Sequence, residues 1–254
     1  FGTAHRSQPT VVGLPLMMRS VAGLLMEKEV LSLSRVFSGA PRPVCMVLGG
    51  TKVDDSIAVA RHMLEHGISD QVMVIGVVAN VFLLADGYSL GKPSTQLIHQ
   101  LKYESEIGNA KAILEKFREK IIMPDWVSVR ANDRRAEYPV SAIPENTPVL
   151  DAGMDALATL KGVIRKAGTV VFNGPAGVFE EADYATGTYE LLKAASQVDL
   201  SVAGGGHTAA VIEKLGIEKD FTHISTGGGA CIEFLTGKKL PAVEALEQSK
   251  KLFG

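Results

Sequence analysis

Strand-like and helix-like segments alternate along this chain, and that alternation most narrows the folds open to it. Short apolar runs at residues 44–48, 72–75, 126–129, 149–150, 169–172 and 200–203 read as strands, the 149–150 run being the shortest. Most are followed by glycine, Asp or Asn and then by a helix-like stretch. Helices are expected at 56–65, 106–120, 154–166, 184–195, 208–215 and 231–235. The pattern predicts an α/β fold: a doubly wound, Rossmann-like, mainly parallel six-stranded sheet with helices on both faces. In such sheets ligands bind outside the carboxyl ends of the strands.

Two glycine runs fall at that edge. They are Gly204-Gly205-Gly206-His207-Thr208 and Ser225-Thr226-Gly227-Gly228-Gly229-Ala230. Each follows a short apolar segment and precedes an expected helix. Glycine lets backbone come close to a ligand, and free N–H groups at a helix start favour anions. Two such cradles point to a phosphate-rich ligand, with a nucleotide as the first candidate. Glycine makes up 26 of 254 residues, above the usual share of about 7%. The two runs supply six of them, so the excess is partly local.

The chain is long enough for a real core. Hydrophobic content of 46% with 21% charged residues is ordinary for a globular protein, and a net charge of −2 gives no reason to expect nucleic acid or an anionic membrane as a partner. No apolar run reaches the roughly 18 residues of a membrane span. The two cysteines, Cys45 and Cys231, sit in apolar surroundings, which fits a reducing, cytoplasmic compartment better than a disulfide framework. The chain starts Phe1-Gly2-Thr3 without methionine, as a truncated or processed start would.

The first 40 residues differ in character. Residues 1–16 have turn residues and no clear period. Then Met18, Ala22, Met26, Val30, Leu33 and Phe37 recur every three or four residues, with Glu27, Lys28 and Glu29 interspersed. This predicts one long helix, ended by Ala40-Pro41-Arg42-Pro43. It packs either on its own sheet or, with its other face, on a further domain. The charged stretch 130–137 reads as a solvated loop.

Single motifs leave alternatives open. Gly204, Gly206 and Ala209 fit G-x-G-x-x-A, a weak dinucleotide fingerprint that a tight turn would also satisfy. Gly91-Lys92-Pro93-Ser94 is no P-loop, because Pro stands where Ser or Thr is needed. Lys52, after Gly49-Gly50-Thr51, is placed to meet phosphate in the crevice or is a solvated surface lysine. Glu180, beyond Asn173-Gly174-Pro175-Ala176-Gly177, is placed to meet a ribose hydroxyl or to sit favourably at a helix start. His207 is a phosphate ligand, a cap or a metal ligand. His62 and His66, at i and i+4, have zinc spacing but no third ligand. A dehydrogenase-type NAD domain and a non-catalytic nucleotide-binding module therefore stand beside a kinase.

Taken in order, the segments Phe1-Gly2-Thr3-Ala4-His5-Arg6, Ala22-Gly23-Leu24-Leu25-Met26-Glu27-Lys28-Glu29, Leu48-Gly49-Gly50-Thr51-Lys52-Val53, 172–180, 204–208 and 223–230 resemble the phosphoglycerate kinase family. They cover nearly the whole chain, and Ile75-Gly76-Val77-Val78-Ala79-Asn80-Val81-Phe82-Leu83 looks closest to archaeal members. The resemblance implies a two-lobed enzyme. Its amino-terminal lobe holds 3-phosphoglycerate, and its carboxy-terminal lobe holds ATP or ADP with Mg²⁺. It implies residues 1–16 as a remnant of the first lobe, 17–40 as the interlobe helix and 41–254 as the nucleotide-binding domain. Most of the amino-terminal lobe, a partner in the complete enzyme, is then absent, and the chain by itself is expected to be inactive.

By the same resemblance Lys52, Gly206 and Gly229 serve phosphoryl transfer, and Arg6 lies on the 3-phosphoglycerate side. Gly50, Gly76 and Gly153 line the adenine slot, and Asn173 and Glu180 contact phosphate and ribose. Gly205, Gly206, His207 and Thr208 form one phosphate loop, with Gly227 and Gly228 in the facing one. Three positions depart from the family pattern. His207 stands where many members carry an Asp that holds Mg²⁺, and imidazole is a poor ligand for that hard ion. Mg²⁺ is therefore expected to be held mainly by nucleotide phosphates. Ser56 replaces a second phosphate lysine, and the glycine run near Gly76 is reduced.

Overall fold

The computed structural model describes residues 1–254. The helices are α1 (Leu14–Met17), α2 (Leu24–Phe37), α3 (Val53–Glu65), α4 (Gly76–Ala85), α5 (Lys92–Gln100), α6 (Glu104–Phe117), α7 (Met154–Lys166), α8 (Thr186–Ala195), α9 (Gly206–Leu215), α10 (Gly229–Leu235) and α11 (Pro241–Phe253). The strands are β1 (Val44–Leu48), β2 (Gln71–Val74), β3 (Ile121–Ile122), β4 (Trp126–Ala131), β5 (Arg134–Pro139), β6 (Val149–Ala152), β7 (Thr169–Asn173), β8 (Leu200–Gly204) and β9 (His223–Ile224).

Six strands form one parallel sheet in the order β3-β2-β1-β7-β8-β9. Its central strands are apolar at nearly every position because helices cover both faces. In β1, Met46 and Leu48 face a layer built from α2, α3, α4, α6 and α10, while Cys45 and Val47 face α7, α8 and α9. Each large side chain buried this way contributes about 1.5–3 kcal/mol. Helix ends follow local chemistry. Asp54 and Asp55 open α3 at its positive pole, Arg165 and Lys166 close α7 at its negative one, and Gly216 ends α9 in the left-handed conformation.

The expected sheet has the right size but two different members. Residues 126–129 and 149–150 belong to a separate three-stranded antiparallel sheet, β5-β4-β6. The two-residue strands β3 and β9 take the edges of the main sheet instead. The stretch expected as a solvated loop at 130–137 is a hairpin. Asn132 and Asp133 turn it with φ of 50° and 57°, the geometry of a two-residue primed turn. The expected long helix starts late: Gly23 is extended, so only Leu24–Phe37 of the stretch from Met18 to Phe37 is helical. Helices α4, α5 and α11 were not predicted from the sequence pattern.

Candidate functional site

The strand order reverses direction between β1 and β7, so the crevice outside their carboxyl ends is the topological switch point. Three chain segments meet there. Gly49 N–H donates to Asn173 O at 2.7 Å, and Gly50 N–H donates to Pro175 O at 2.8 Å. Gly174 has φ +90°, and a side chain there would strike the Gly49 carbonyl. Gly76 opens α4 with φ +59°, and a Cβ on it would lie 2.6 Å from Pro175 O. These turns stack closely only because both residues are glycine.

Two cavities open on this crossing. One is an apolar slot of about 200 Å³ between Ile75, Val77, Leu97, Val127, Val149 and Phe179. The small sheet supplies its far wall through Val127 and β6. The other, about 270 Å³, is polar and glycine-rich, bordered by Lys52, Asn173, Gly205, Gly206, Thr208 and Gly228. Gly50, Thr51, Pro175 and His207 line both, so the two form one cleft with an apolar end and a cation-bearing end.

The fold brings together many of the residues singled out in the sequence. Lys52 precedes the first turn of α3, is exposed, and joins none of the chain's ion pairs. Asn173 ends β7 with its Oδ1 toward Gly205, at the start of α9. The first N–H groups of that ten-residue helix open toward the polar cavity, an arrangement that suits an anion. Around Gly206 a Cβ would meet nothing within 4 Å. Thr208 is buried and acts on the protein itself. Its hydroxyl accepts the Gly174 N–H at 2.9 Å and ties the two loops together. His207 is exposed at the junction, its ring 5.6 Å from that of Phe179. Glu180 stands on the rim of the slot and Gly76 in its wall.

Others lie apart. Gly153 packs on Trp126 behind the slot and lines neither cavity. Of the second glycine run only Gly228 borders the polar cavity; Gly227 faces the Phe1 ring, and Gly229 faces His5. Arg6 is exposed beyond His5 and lines neither cavity. Ser56 is buried in α3 and does not reach the cleft.

Two carboxylates were missed in the sequence. Glu29, fully buried in α2, meets His223 Nε2 at 2.9 Å, and its other oxygen accepts from Thr226 N at 2.8 Å and Thr226 Oγ1 at 3.0 Å. Burial pushes its carboxyl up, but bonds from His223, Ser225 and Thr226 outweigh that and hold it at about 2. Its signal was present: Met26, Glu29, Leu33 and Val36 share one helical stripe, so the acid sits among core positions. Asp151 lies in the β6 wall of the slot. It accepts the N–H groups of Gly187 and Ala152 at 2.8 and 2.9 Å, with Arg135 at 3.7 Å. Here burial dominates and pushes the carboxyl up to about 7, against those two N–H groups and Arg135.

No group of three or more His, Cys, Asp or Glu is arranged to hold a metal. No carboxylate lines the polar cavity, whose oxygen donors are Thr51, Thr208, Asn173 and backbone. Those residues do not make a protein-built Mg²⁺ site, which wants hard oxygen ligands in octahedral array.

Known proteins resemble this arrangement across the whole chain. The family model for phosphoglycerate kinase matches residues 1–238. A phosphoglycerate kinase of Methanocorpusculum labreanum is 60% identical over 254 residues, covering 100% of this chain and 63% of that protein. One from Methanothermus fervidus is 44% identical over 252 residues, covering 99% of this chain and 61% of that protein. The crystal structure of phosphoglycerate kinase from Pyrococcus horikoshii OT3 superposes with a TM-score of 0.93 at 37% identity, covering 99% of this chain and 63% of that one. This chain thus spans somewhat under two thirds of the length of these relatives. With the family model matched over nearly its full length and the relatives agreeing in sequence and fold, the chain belongs to the phosphoglycerate kinase family.

Proposed function

We propose that the cleft binds ATP or ADP and that the chain is the nucleotide-binding lobe of a phosphoglycerate kinase. That enzyme moves a phosphoryl group reversibly between 1,3-bisphosphoglycerate and ADP, giving 3-phosphoglycerate and ATP in glycolysis. One observation carries the reading: the apolar slot and the cationic, glycine-lined cavity are joined end to end at Gly50, Thr51, Pro175 and His207. The base and ribose take the slot, with Glu180 at the ribose, and the phosphates take the polar end.

Little covalent chemistry is asked of the protein. The Lys52 ammonium and the N–H groups opening α9 meet the charge spread over the transferring phosphoryl group. No carboxylate of this chain lines the polar cavity, so Mg²⁺ would be held mainly by the nucleotide phosphates and would supply further neutralisation of that charge. The larger contribution is alignment of the two substrates, about 7–11 kcal/mol for well-oriented reactants. The other substrate, 3-phosphoglycerate, belongs to an amino-terminal lobe. Arg6, the residue the family pattern puts on that substrate, lines neither cavity. The 254-residue chain by itself therefore binds nucleotide and turns over negligibly. A cytoplasmic setting accords with this role and with buried, free Cys45 and Cys231.

The dehydrogenase reading loses its support. Gly204, Gly206 and Ala209 follow the fifth strand in sheet order, whereas a dinucleotide fingerprint follows the strand at the switch point. Calorimetric titration with ADP and with NAD tests the proposal: ADP is expected to bind and NAD to bind far more weakly. Preference for NAD would overturn it. A coupled ATP/3-phosphoglycerate assay showing turnover at the 10 s⁻¹ scale of ordinary enzymes, roughly the median, would overturn the inactivity of the isolated chain.

A further inference from the structure

Asn80 is the one polar side chain in α4; every other residue of that helix is glycine, alanine or a larger apolar group. It is 4% exposed and lies one turn beyond Gly76, on the face that closes the apolar slot. Leu83, the next residue on that side, packs on Leu90, Val127 and Val129, so the face turns fully apolar just above it. A carboxamide carries two donors and an acceptor oxygen with two lone pairs. Burying it without partners costs free energy, and such a group calls for an explanation. No protein group bonds to it. The one side-chain N or O in the molecule that is both fully enclosed and unpartnered is His5 Nδ1, so the Asn80 amide stays open toward the slot.

We propose that Asn80 reads the edge of the base that occupies this slot. Its oxygen accepts from an exocyclic amine, and its NH₂ donates to the adjacent ring nitrogen, as a carboxamide does with adenine. Turned over about χ2, the same group meets a 6-oxopurine, whose oxygen accepts and whose ring N–H donates. Asn80 therefore selects purines substituted at the 6-position over an unsubstituted purine, and separates adenine from guanine only weakly. The inference rests on the nucleotide reading above and adds to it the chemistry of the base.

The test measures Kd of the 254-residue chain for ADP, GDP and purine riboside 5′-diphosphate, which lacks the 6-substituent. One hydrogen bond gained corresponds to roughly three- to tenfold tighter binding of ADP than of the unsubstituted nucleotide. Asn80→Leu, of similar volume, should bring that ratio to about one while all three still bind. Asn80→Asp, an acceptor only, should shift preference toward GDP, whose N1–H and amine both donate. An unchanged ratio in Asn80→Leu, or equal binding of ADP and the unsubstituted nucleotide by the parent chain, would sink the role of Asn80 and leave the nucleotide site standing. Should the Leu variant fail to fold, Asn80→Asp decides, and an unaltered ADP-to-GDP preference overturns the proposal. No binding of any of the three by the parent chain overturns the nucleotide reading itself, and this inference with it.

Discussion

The two glycine runs are alike in sequence and differ in what holds them. The first, at 204–206, continues a buried central strand into a ten-residue helix and at Gly206 faces open space in the cleft. The second, at 227–229, opens a seven-residue helix. It is flanked by Phe1 and His5 and anchored one residue upstream, at Thr226, by the buried Glu29 carboxylate of α2. The first run borders the polar cavity at Gly205 and Gly206, where α9 begins. The second is a joint tying the amino-terminal segment and α2 to the rim of the same cleft. Similar glycines thus leave open space in the cleft at Gly206 and Gly228 and allow close packing of protein on protein at Gly227 and Gly229.

The largest expected effect comes from cutting that joint. Glu29→Ala leaves His223 and Thr226 without their buried acceptor, a change costing about 3–5 kcal/mol. Urea unfolding should show it as a lower midpoint. A loss under about 1 kcal/mol would mean that the second run is held by packing alone.

Next is the acid limb of stability. The folded-state value of Glu29, about 2, lies below its ordinary value of 4.5. Its contribution is therefore fully present above pH 4.5 and lost as pH falls toward 2, on the order of 2–3 kcal/mol. Asp151 leans the other way. Its value is raised from 3.8 to about 7, so its protonated form favours the fold, and stability declines as pH rises through that window. Denaturant midpoints across pH 2–8 should show both limbs, with the acid limb abolished in Glu29→Gln.

The smallest effect on stability, and the sharpest on function, is expected at Gly206. A Cβ there meets no protein atom, and alanine favours a helix by about 1 kcal/mol over glycine. Gly206→Ala should therefore leave the unfolding midpoint unchanged or slightly raised. Its methyl group enters the polar cavity, so ADP affinity should fall roughly tenfold, about one charge-assisted hydrogen bond. Unchanged affinity would remove the first run from the binding surface.

Much of this was legible locally. Strands β1, β2, β7 and β8 announce themselves as apolar runs, because both their faces are covered. Helix α4 escaped notice for the same reason: buried on nearly every side, it shows no polar stripe to set its period. The β4–β5 hairpin was hidden by Arg130, Arg135 and Glu137. Arg130 pairs with Glu181, and Arg135 meets Glu137, Asp151 and the Asp183 carbonyl, so these charges find protein partners on the folded hairpin. In the cleft, Lys52, Asn173, Gly205, Gly206 and His207 could be read from their place after strands. Gly153 could not, because its neighbour Trp126 is contributed by another strand.

The sequence by itself determined the class of fold and the strand ends that border the cleft, since both follow from the period of apolar residues and the placement of glycine. Only the tertiary structure decided which sheet each strand joins and which glycines face the cleft rather than a phenyl ring. It alone showed that Glu29, Asp151 and Asn80 are buried polar groups with unlike fates. Those outcomes depend on partners far away in the chain, such as the His223 that meets Glu29, and no local pattern encodes them.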